Sequence, residues 1–260
     1  MPEGDSIHLL ANKLTRAVVG KDVVAFSART ISDDVARSLV GVKIQSATAR
    51  GKNLLIGFGD GRVLHVHLRM LGRVRVVAKA PRVPSQLSIQ VDGVFVVGWK
   101  IPVLRLMSKD AAARVPELAS LGPDLLAPDF EEQEAVARLR RLPDREIGDA
   151  LLVQSALAGI GNVYKSEVLF IERVSPFARV ADLDHVTLAA LVRRARKLLQ
   201  LNVAHGGPRV TRGRLGARHY VYGRAGRPCF RCRKAIAVAR QGAPPGRTTY
   251  FCAECQGVDG

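Results

Sequence analysis

The sequence predicts an α+β protein: a β-sandwich led by one helix, followed by a helical domain that ends in a small cysteine-bearing module. Three observations support this prediction. Strand-like segments fill the first hundred residues, helix-like segments follow residue 131, and all four cysteines lie after residue 228. With 260 residues, the chain is long enough for two domains of ~100 to 150 residues that each bury a core.

The first part of the chain is predicted to be a helix followed by strands. Apolar residues recur at helical spacing from Ile7 to Val18, which predicts a helix over 6–18. Gly59-Asp60-Gly61 and Asp92-Gly93 are typical of hairpin turns, because these residues adopt the backbone conformations that tight turns need. The segments around such turns predict strands over 23–26, 43–46, 53–57, 62–68, 73–77, 87–91 and 94–97. This pattern indicates a sandwich or a barrel.

The sequence changes character at residues 121–130, where Pro123 and Pro128 favour a linker. Apolar periodicity then predicts helices over 131–142, 147–157, 163–171 and 188–199. The expected organisation is therefore a β-sandwich domain over 1–120, a linker over 121–130, a helical domain over 131–216 and a cysteine module over 217–260.

The positive charge of the chain is concentrated in its C-terminal third. The chain carries 40 basic and 23 acidic side chains, a formal net charge of +17. Fifteen Lys or Arg residues and no Asp or Glu lie between His185 and Ala253. Because a solvated surface normally mixes both signs, this excess favours a polyanionic partner, and nucleic acid is the first candidate. A membrane-surface helix is the alternative, but glycine, proline and cysteine interrupt residues 206–232.

Two features predict where the protein works. No stretch approaches the ~18 apolar residues of a membrane span, so we expect no membrane partner. The N-terminus lacks the basic start and the apolar run of a secretory signal, so the expected location is cytoplasmic, in association with the nucleoid.

The four cysteines have the spacing of a metal site. Cys229 and Cys232 form one Cys-x2-Cys pair, and after nineteen residues Cys252 and Cys255 form another. Four thiolates close a tetrahedron around zinc and leave no position for a substrate, so we expect one structural zinc. Disulfides are the alternative, which a reducing compartment disfavours. Since about forty residues bury too little core to fold alone, zinc binding would contribute the folding free energy of this module.

Four motifs occur in one order along nearly the whole chain. They are Pro2-Glu3-Gly4, Arg50-Gly51-Lys52-Asn53-Leu54-Leu55, Ala158-Gly159-Ile160-Gly161-Asn162-Val163-Tyr164, and Arg247-x4-Cys252-x2-Cys255-Gln256. Together they resemble the formamidopyrimidine-DNA glycosylase and endonuclease VIII family. The resemblance implies a DNA glycosylase and apurinic/apyrimidinic lyase that removes oxidised bases, with a helix-two-turn-helix domain and a zinc ribbon. We expect a monomer whose partner is double-stranded DNA with damaged bases.

The N-terminus carries residue types suited to this chemistry. If Met1 is removed, the secondary amine of Pro2 titrates near ~8, so part of it is a free nucleophile at neutral pH. Its attack on the sugar C1′ would expel the base and leave an iminium that acidifies the C2′ proton, and strand elimination follows. Glu3 would protonate the sugar ring oxygen, and Lys52 is the third catalytic residue by resemblance. Alternatively, Pro2 only permits methionine removal, Glu3 stabilises a helix start and Lys52 is a solvated strand-end lysine.

A second set of residues suits phosphate binding. Gly159 and Gly161 let backbone amides approach an anion, and Asn162 at the next helix start adds a side-chain donor. The same residues fit a simple helix cap, so it is the resemblance that assigns Asn162 and Arg247 to DNA phosphates. Tyr164 either supports this turn or packs in the core.

An enzyme that acts on a base in duplex DNA must extrude that base, and a side chain must fill the gap. Met70 is unbranched and apolar, which suits insertion, and Arg69 and Leu71 are its expected helpers. The alternative for Met70 is a core methionine at a strand end. His65 and His67 share one strand face and are expected to pack or to form hydrogen bonds rather than to bind metal.

Two departures from the family pattern bear on the substrate. Asp5 and Ser6 stand where the family often has a second Glu, and residues 97–106 lack a clear Arg-Phe pair of the guanine-directed branch, for which Arg105 and Trp99 remain substitutes. We therefore expect oxidised pyrimidines, the substrates of the endonuclease VIII branch, rather than 8-oxoguanine and formamidopyrimidines. Two further hypotheses are a zinc-ribbon DNA-binding protein without catalysis and an RNA-binding translation factor, although aromatic residues make up only 5% of the chain.

Overall fold

Contacts in the computed structural model divide the chain after Ser120 into two units. The structure describes residues 2–213 and 216–258. The first unit is built mainly of strands, and the second is helical with a small terminal sheet, so the predicted α+β class is confirmed. No helix within the described ranges has both the length and the apolar composition to cross a bilayer.

The first unit is a sandwich of two four-stranded antiparallel sheets with a helix at its start. Its helices are α1 (Gly4–Val18), α2 (Asp33–Arg37), α3 (Lys109–Arg114) and α4 (Pro116–Ala119). Its strands are β1 (Ala25–Ala28), β2 (Ile44–Arg50), β3 (Asn53–Phe58), β4 (Arg62–His67), β5 (Arg73–Val77), β6 (Leu87–Val91), β7 (Val94–Trp99) and β8 (Val103–Ser108). One sheet has the strand order β1-β6-β7-β5 and the other the order β2-β3-β4-β8.

Apolar residues from both sheets and from α1 form one core in this unit. Along β3 and β4, Leu54, Ile56, Leu64 and Val66 are fully buried, and each is followed by a residue of the opposite sheet face. A strand that buries one face alternates in this way, which is why the sequence pattern predicts these strands. The pattern did not predict β8, an edge strand that directly follows Pro102 and buries only Leu104.

The second unit is helical and ends in a two-stranded sheet. Its helices are α5 (Glu132–Arg140), α6 (Ile147–Ala150), α7 (Asn162–Ile171), α8 (His185–His205) and α9 (Ala253–Gln256), with a 3-10 turn at Val180–Asp182. β9 (Ala237–Gln241) and β10 (Arg247–Phe251) pair antiparallel. Leu125 and Phe130, from the segment predicted as a linker, are buried in one core with residues of α5, α7 and α8.

Two predicted helices differ from the structure. The helix predicted over 147–157 is wrong beyond residue 150, because a turn follows in which the Gln154 side chain bonds three nearby backbone groups. α8 extends beyond the predicted 188–199 at both ends. Asp184 caps its first turn, and Gly206, with a φ of 69°, ends it in a left-handed conformation.

Candidate active site and nucleic-acid interface

The N-terminal residues predicted to be catalytic lie at the start of α1. Pro2 is half-buried, and Glu3, the N-cap residue of α1, is fully buried. The Glu3 backbone N–H donates to Ser6 Oγ (3.4 Å), and the Ser6 N–H donates to Asp5 Oδ1 (2.7 Å). Asp5 and Ser6, which stand in place of the family's second Glu, therefore stabilise the helix start. Met1 lies outside the described residues.

Lys52 lies in the tight turn between β2 and β3. Arg50 pairs with Asn53 across this turn, and Gly51 has a φ of 58°, a conformation that favours glycine. Lys52 is half-buried. Burial lowers the pKa of His67, and the nearby Lys52 cation lowers it further, so the two side chains are electrostatic neighbours. Since α1 packs against β2 and β3, this turn and the N-terminal residues belong to the same unit.

The predicted wedge residues form an exposed turn directly after β4. Met70 is 59% exposed and Leu71 is 68% exposed, which excludes the core alternative for Met70. Arg69 has a φ of 45°, and its N–H donates to His67 Nδ1 (3.1 Å). Gly72 closes the turn, because a Cβ at this position would lie 2.6 Å from the Leu68 carbonyl oxygen. This turn therefore presents two apolar side chains to the surroundings.

The two substitutes considered for an Arg-Phe pair lie within strands. Trp99 is the last residue of β7 and is half-buried. Arg105 lies in β8, and its Nη1 is 3.5 Å from Glu117 Oε1. Met70 and Leu71 are thus better suited to insertion between bases than either of these residues.

The glycine-bearing turn before α7 places Asn162 at the first position of the helix. Gly159 has a φ of 98°, which requires glycine, and Gly161 is the N-cap residue. Asn162 is 8% exposed, and its Nδ2 donates to the carbonyl oxygen of Thr248 (2.6 Å). Asn162 Oδ1 is buried and has no hydrogen-bond partner within the described part of the chain. The start of α7 is therefore attached to β10.

Arg247 is the first residue of β10 and is exposed. It directly precedes Thr248, which accepts the Asn162 bond, so the two residues assigned to phosphates by resemblance are brought together. The fully buried Lys165 strengthens the same junction, because its Nζ donates to Thr249 Oγ1 (2.6 Å). A side chain at the start of a helix and an exposed guanidinium beside it are suited to phosphate groups.

Tyr164 has no exposed surface and belongs to the helical core, with the Arg209 guanidinium 5.1 Å from its ring centroid. Of the two alternatives for this residue, the structure supports packing, and a direct contact with DNA is not compatible with its burial.

Sequence reasoning missed Glu167, a fully buried carboxylate on α7. It accepts backbone N–H groups from Tyr220 (2.7 Å), Val221 (2.8 Å) and Tyr222 (2.8 Å), and it also accepts the Thr211 hydroxyl. It thereby attaches the chain around residues 211 and 220–222 to α7. The available signal was a pair of opposite charges, Lys165 and Glu167, within a helix that is otherwise uncharged and mostly apolar.

The four cysteines are brought together in one cluster. Their sulfur atoms all lie within 4.8 Å of one another, with 3.8 Å between Cys229 and Cys255 and 3.3 Å between Cys232 and Cys252. A zinc ion at ~2.3 Å from four sulfurs requires sulfur separations of ~3.8 Å, so the cluster fits this metal. Burial acts to raise the pKa of Cys229, but the N–H groups of Cys232 and Arg231 outweigh it and lower that pKa to about 7. This lowered pKa favours the Cys229 thiolate, whereas burial raises the pKa of Cys252 to about 11 and also raises the pKa of Cys255.

Two family models match the chain. The formamidopyrimidine-DNA glycosylase N-terminal domain matches residues 1–98, and the formamidopyrimidine-DNA glycosylase H2TH domain matches residues 121–212. The second match confirms that the helical domain is a helix-two-turn-helix domain.

Similar proteins align with almost the whole chain. A probable endonuclease 8 2 of Streptomyces coelicolor is 38% identical over 98% of this chain and 94% of its own. A DNA-(apurinic or apyrimidinic site) lyase Nei2 of Mycolicibacterium smegmatis is 35% identical over 98% of this chain and 99% of its own. The structure of Lactococcus lactis formamidopyrimidine-DNA glycosylase, bound non-covalently to DNA with an AP site, has a TM-score of 0.84 and 27% identity over 98% of this chain and 99% of its own. Because the family models and the full-length relatives agree, the chain belongs to the formamidopyrimidine-DNA glycosylase family.

Proposed function

We propose that this protein, a base-excision DNA glycosylase with AP lyase activity, removes oxidised pyrimidines from double-stranded DNA with the imino nitrogen of Pro2 as its nucleophile. The observation that supports this mechanism most directly is the fully buried Glu3 carboxylate, which follows Pro2 in the chain. A buried carboxylate beside an N-terminal amine provides a proton donor and a nucleophile in adjacent residues.

The reaction requires a nucleophile and proton transfer at one sugar. The Pro2 nitrogen forms a bond to C1′ and loses its proton, while the glycosidic bond breaks and its electron pair leaves with the base. Glu3 donates a proton to the ring oxygen, so that the sugar opens and a cationic C1′ iminium forms. Loss of a C2′ proton then expels the 3′ phosphate, and Lys52 transfers protons in this elimination. Water finally hydrolyses the iminium and releases Pro2.

Five residues would replace the extruded nucleotide or hold the phosphates around it. Met70 fills the gap in the stack, with help from Arg69 and Leu71, because the two apolar side chains of this turn are exposed. Asn162 and Arg247 bind the phosphates around the lesion.

The four cysteines hold one zinc ion, which supplies only structural stabilisation because four sulfur ligands leave no position for water.

The preference for oxidised pyrimidines is supported by the residues that stand in place of the Arg-Phe pair of the guanine-directed branch. Trp99 and Arg105 are held in strands, and no Arg-Phe pair occurs in residues 97–106. The resemblance of the chain to the endonuclease VIII branch also favours oxidised pyrimidines. We further propose that the protein acts as a monomer on chromosomal DNA in the cytoplasm.

Borohydride trapping on a duplex with one abasic site tests the mechanism. Protein without Met1 should form a covalent adduct, and Pro2→Gly should slow or divert its formation. Glu3→Gln should suppress base excision from lesion DNA, whereas Asp110→Asn, a change of an exposed acid in the first turn of α3, should not. Mass spectrometry that finds Met1 on the active protein, or equal base excision by Glu3→Gln, would contradict the proposal.

A lesion panel under single-turnover conditions tests the substrate. Oxidised pyrimidines should be excised faster than 8-oxoguanine and formamidopyrimidines. The reverse order would assign the enzyme to the guanine-directed group, and the absence of any adduct or excision would favour a non-catalytic DNA-binding protein.

A further inference from the structure

A buried polar pair lies next to the turn that carries Lys52. Asn53 directly follows Lys52, and His65 lies on the neighbouring strand β4. Their exposed fractions are 3% and 1%. His65 Nε2 and Asn53 Oδ1 are 2.8 Å apart. In the register of β3 and β4, Asn53 pairs with His67 and Leu55 with His65, so Asn53 and His65 are diagonal neighbours on one sheet face.

The donor and the acceptor in this pair follow from a second bond. Asn53 Nδ2 donates to the Arg50 carbonyl oxygen (3.1 Å). If the amide were reversed, Asn53 Oδ1 would face that carbonyl and two acceptors would meet. Asn53 Oδ1 is therefore the acceptor for His65, and His65 donates from Nε2. Burial, followed by the charges of His67 and Arg105, lowers the pKa of His65 to about 4, so this ring is neutral at physiological pH.

These two hydrogen bonds connect β4 to the Lys52 turn. His65 donates a hydrogen bond to Asn53, and Asn53 donates one to the Arg50 carbonyl oxygen. Only Gly51 and Lys52 lie between Arg50 and Asn53. His65 Nδ1 is buried and has no hydrogen-bond partner among the described residues. A buried polar pair with one unsatisfied nitrogen costs stability that an aliphatic pair would not, so packing alone does not account for it.

We propose that His65 is a positioning residue for Lys52. Through Asn53 it fixes the turn from Arg50 to Asn53 and so places the Lys52 amino group for proton transfer during strand elimination. This role builds on the proposed function, in which Lys52 serves elimination and Pro2 serves attack. With 1% exposure, His65 acts through the turn and does not contact DNA.

The experiment compares attack and elimination on one substrate, a duplex with a single abasic site. His65→Leu removes the donor, whereas His65→Gln keeps an N–H donor. Borohydride trapping measures iminium formation, and single-turnover strand cleavage over a pH series measures elimination. We expect His65→Leu to slow elimination about 10-fold or more and to change its pH profile, while trapping stays within about twofold. His65→Gln should restore elimination to within about threefold of wild type.

Thr30→Val is the matched control. It removes a side-chain hydrogen bond to the Leu104 carbonyl oxygen (2.8 Å) in the same unit, and it should change neither rate. If His65→Leu does not fold, Asn53→Leu breaks the same link from the other side and must give the same separation of elimination from trapping.

Lys52→Ala distinguishes a failure of this inference from a failure of the proposed function. If Lys52→Ala leaves the rate of elimination unchanged, Lys52 does not have the role in the proposed function. The positioning role of His65 then fails with it. If Lys52→Ala slows elimination and His65→Leu does not, only the positioning role is overturned. The positioning role is also overturned if His65→Leu lowers trapping as much as elimination, or if it slows elimination further in a Lys52→Ala background.

Discussion

At the scale of single residues, burial gives two histidines on the same strand face different properties. His65 is fully enclosed and bonded to Asn53, whereas His67 is half-buried beside Lys52 and accepts the Arg69 N–H. The sequence predicts correctly that both pack or form hydrogen bonds. It does not predict which of them is enclosed, because enclosure depends on residues that are distant in the chain.

The lowered pKa of His65 predicts a pH dependence of stability. The pKa of His65 falls from 6.5 to about 4 in the folded chain, because burial disfavours the charged ring and the His67 and Arg105 charges add to this effect. Between pH 6.5 and 4 the unfolded chain binds more protons at this site, so stability is fully present above 6.5 and is lost as the pH falls towards 4. The complete loss from this group is about 3 kcal/mol.

Urea unfolding followed by the fluorescence of Trp99 measures this effect, since Trp99 is the only tryptophan and lies in the first unit. Between pH about 7 and about 5, wild type should lose about 2 kcal/mol more stability than His65→Gln. An equal loss in both proteins would show that His65 does not titrate as the structure indicates.

At the scale of elements, local sequence patterns predict those helices and turns that residues close together in the chain determine. The hairpins of the sandwich follow from turn residues and alternation, and α7 follows from its apolar residues and the glycines before it. The segment after α6 has the apolar periodicity typical of a helix. The Gln154 side chain nevertheless stabilises a turn there, which apolar periodicity does not reveal. Similarly, the partners of Glu167 lie 44 to 55 residues away in the sequence, beyond the range of any local pattern.

The buried carboxylate of Glu167 provides a test of how α7 holds its neighbours. In the wild-type protein, the backbone N–H groups of residues 220–222 donate to the Glu167 carboxylate. In Glu167→Gln, an amide NH2 group, which is itself a donor, would face some of these N–H groups. We expect the amides of residues 220–222 to lose about 2 kcal/mol of protection in hydrogen exchange, because hydrogen bonds to a charged group contribute about that much. Glu172→Gln, a change at the more exposed end of α7, should leave these amides protected. Unchanged exchange in Glu167→Gln would contradict the structural role of this carboxylate.

The exposed Arg247, in the hairpin of β9 and β10, predicts how DNA binding depends on salt. Arg247→Ala should weaken binding to lesion DNA, and the slope of log K against log salt should fall by ~0.9 for one lost phosphate contact. Fluorescence anisotropy at several salt concentrations measures both quantities. Arg179→Ala removes an exposed arginine that pairs with Asp182 in the same unit, and it should leave the slope unchanged. An unchanged slope in Arg247→Ala would place Arg247 away from the phosphates.

At the scale of the whole molecule, the positive charge and the metal site occur in the same region of the chain. The cysteine module contributes Val221, Cys229, Ile236 and Cys252 to a small core that also includes Phe170 of α7. Arg231 donates to the carbonyl oxygens of Phe170 (2.7 Å) and Ile171 (3.1 Å), which satisfies the end of α7. The start of α7 is held by β10. We expect a module with so small a core to need a bound metal to fold, and α7 is held by the module at both ends.

Metal removal should therefore strongly lower the affinity for lesion DNA as well as unfold the cysteine module. Native mass spectrometry should find one zinc ion per chain. After complete chelation, hydrogen exchange should show loss of protection in β9, β10 and both ends of α7, while Trp99 fluorescence reports a folded first unit. Affinity for lesion DNA should fall at least about 100-fold and recover when zinc is restored, because Asn162 and Arg247 no longer share one junction. A metal-free protein that binds lesion DNA as tightly as the zinc form would show that the four cysteines do not hold this interface together.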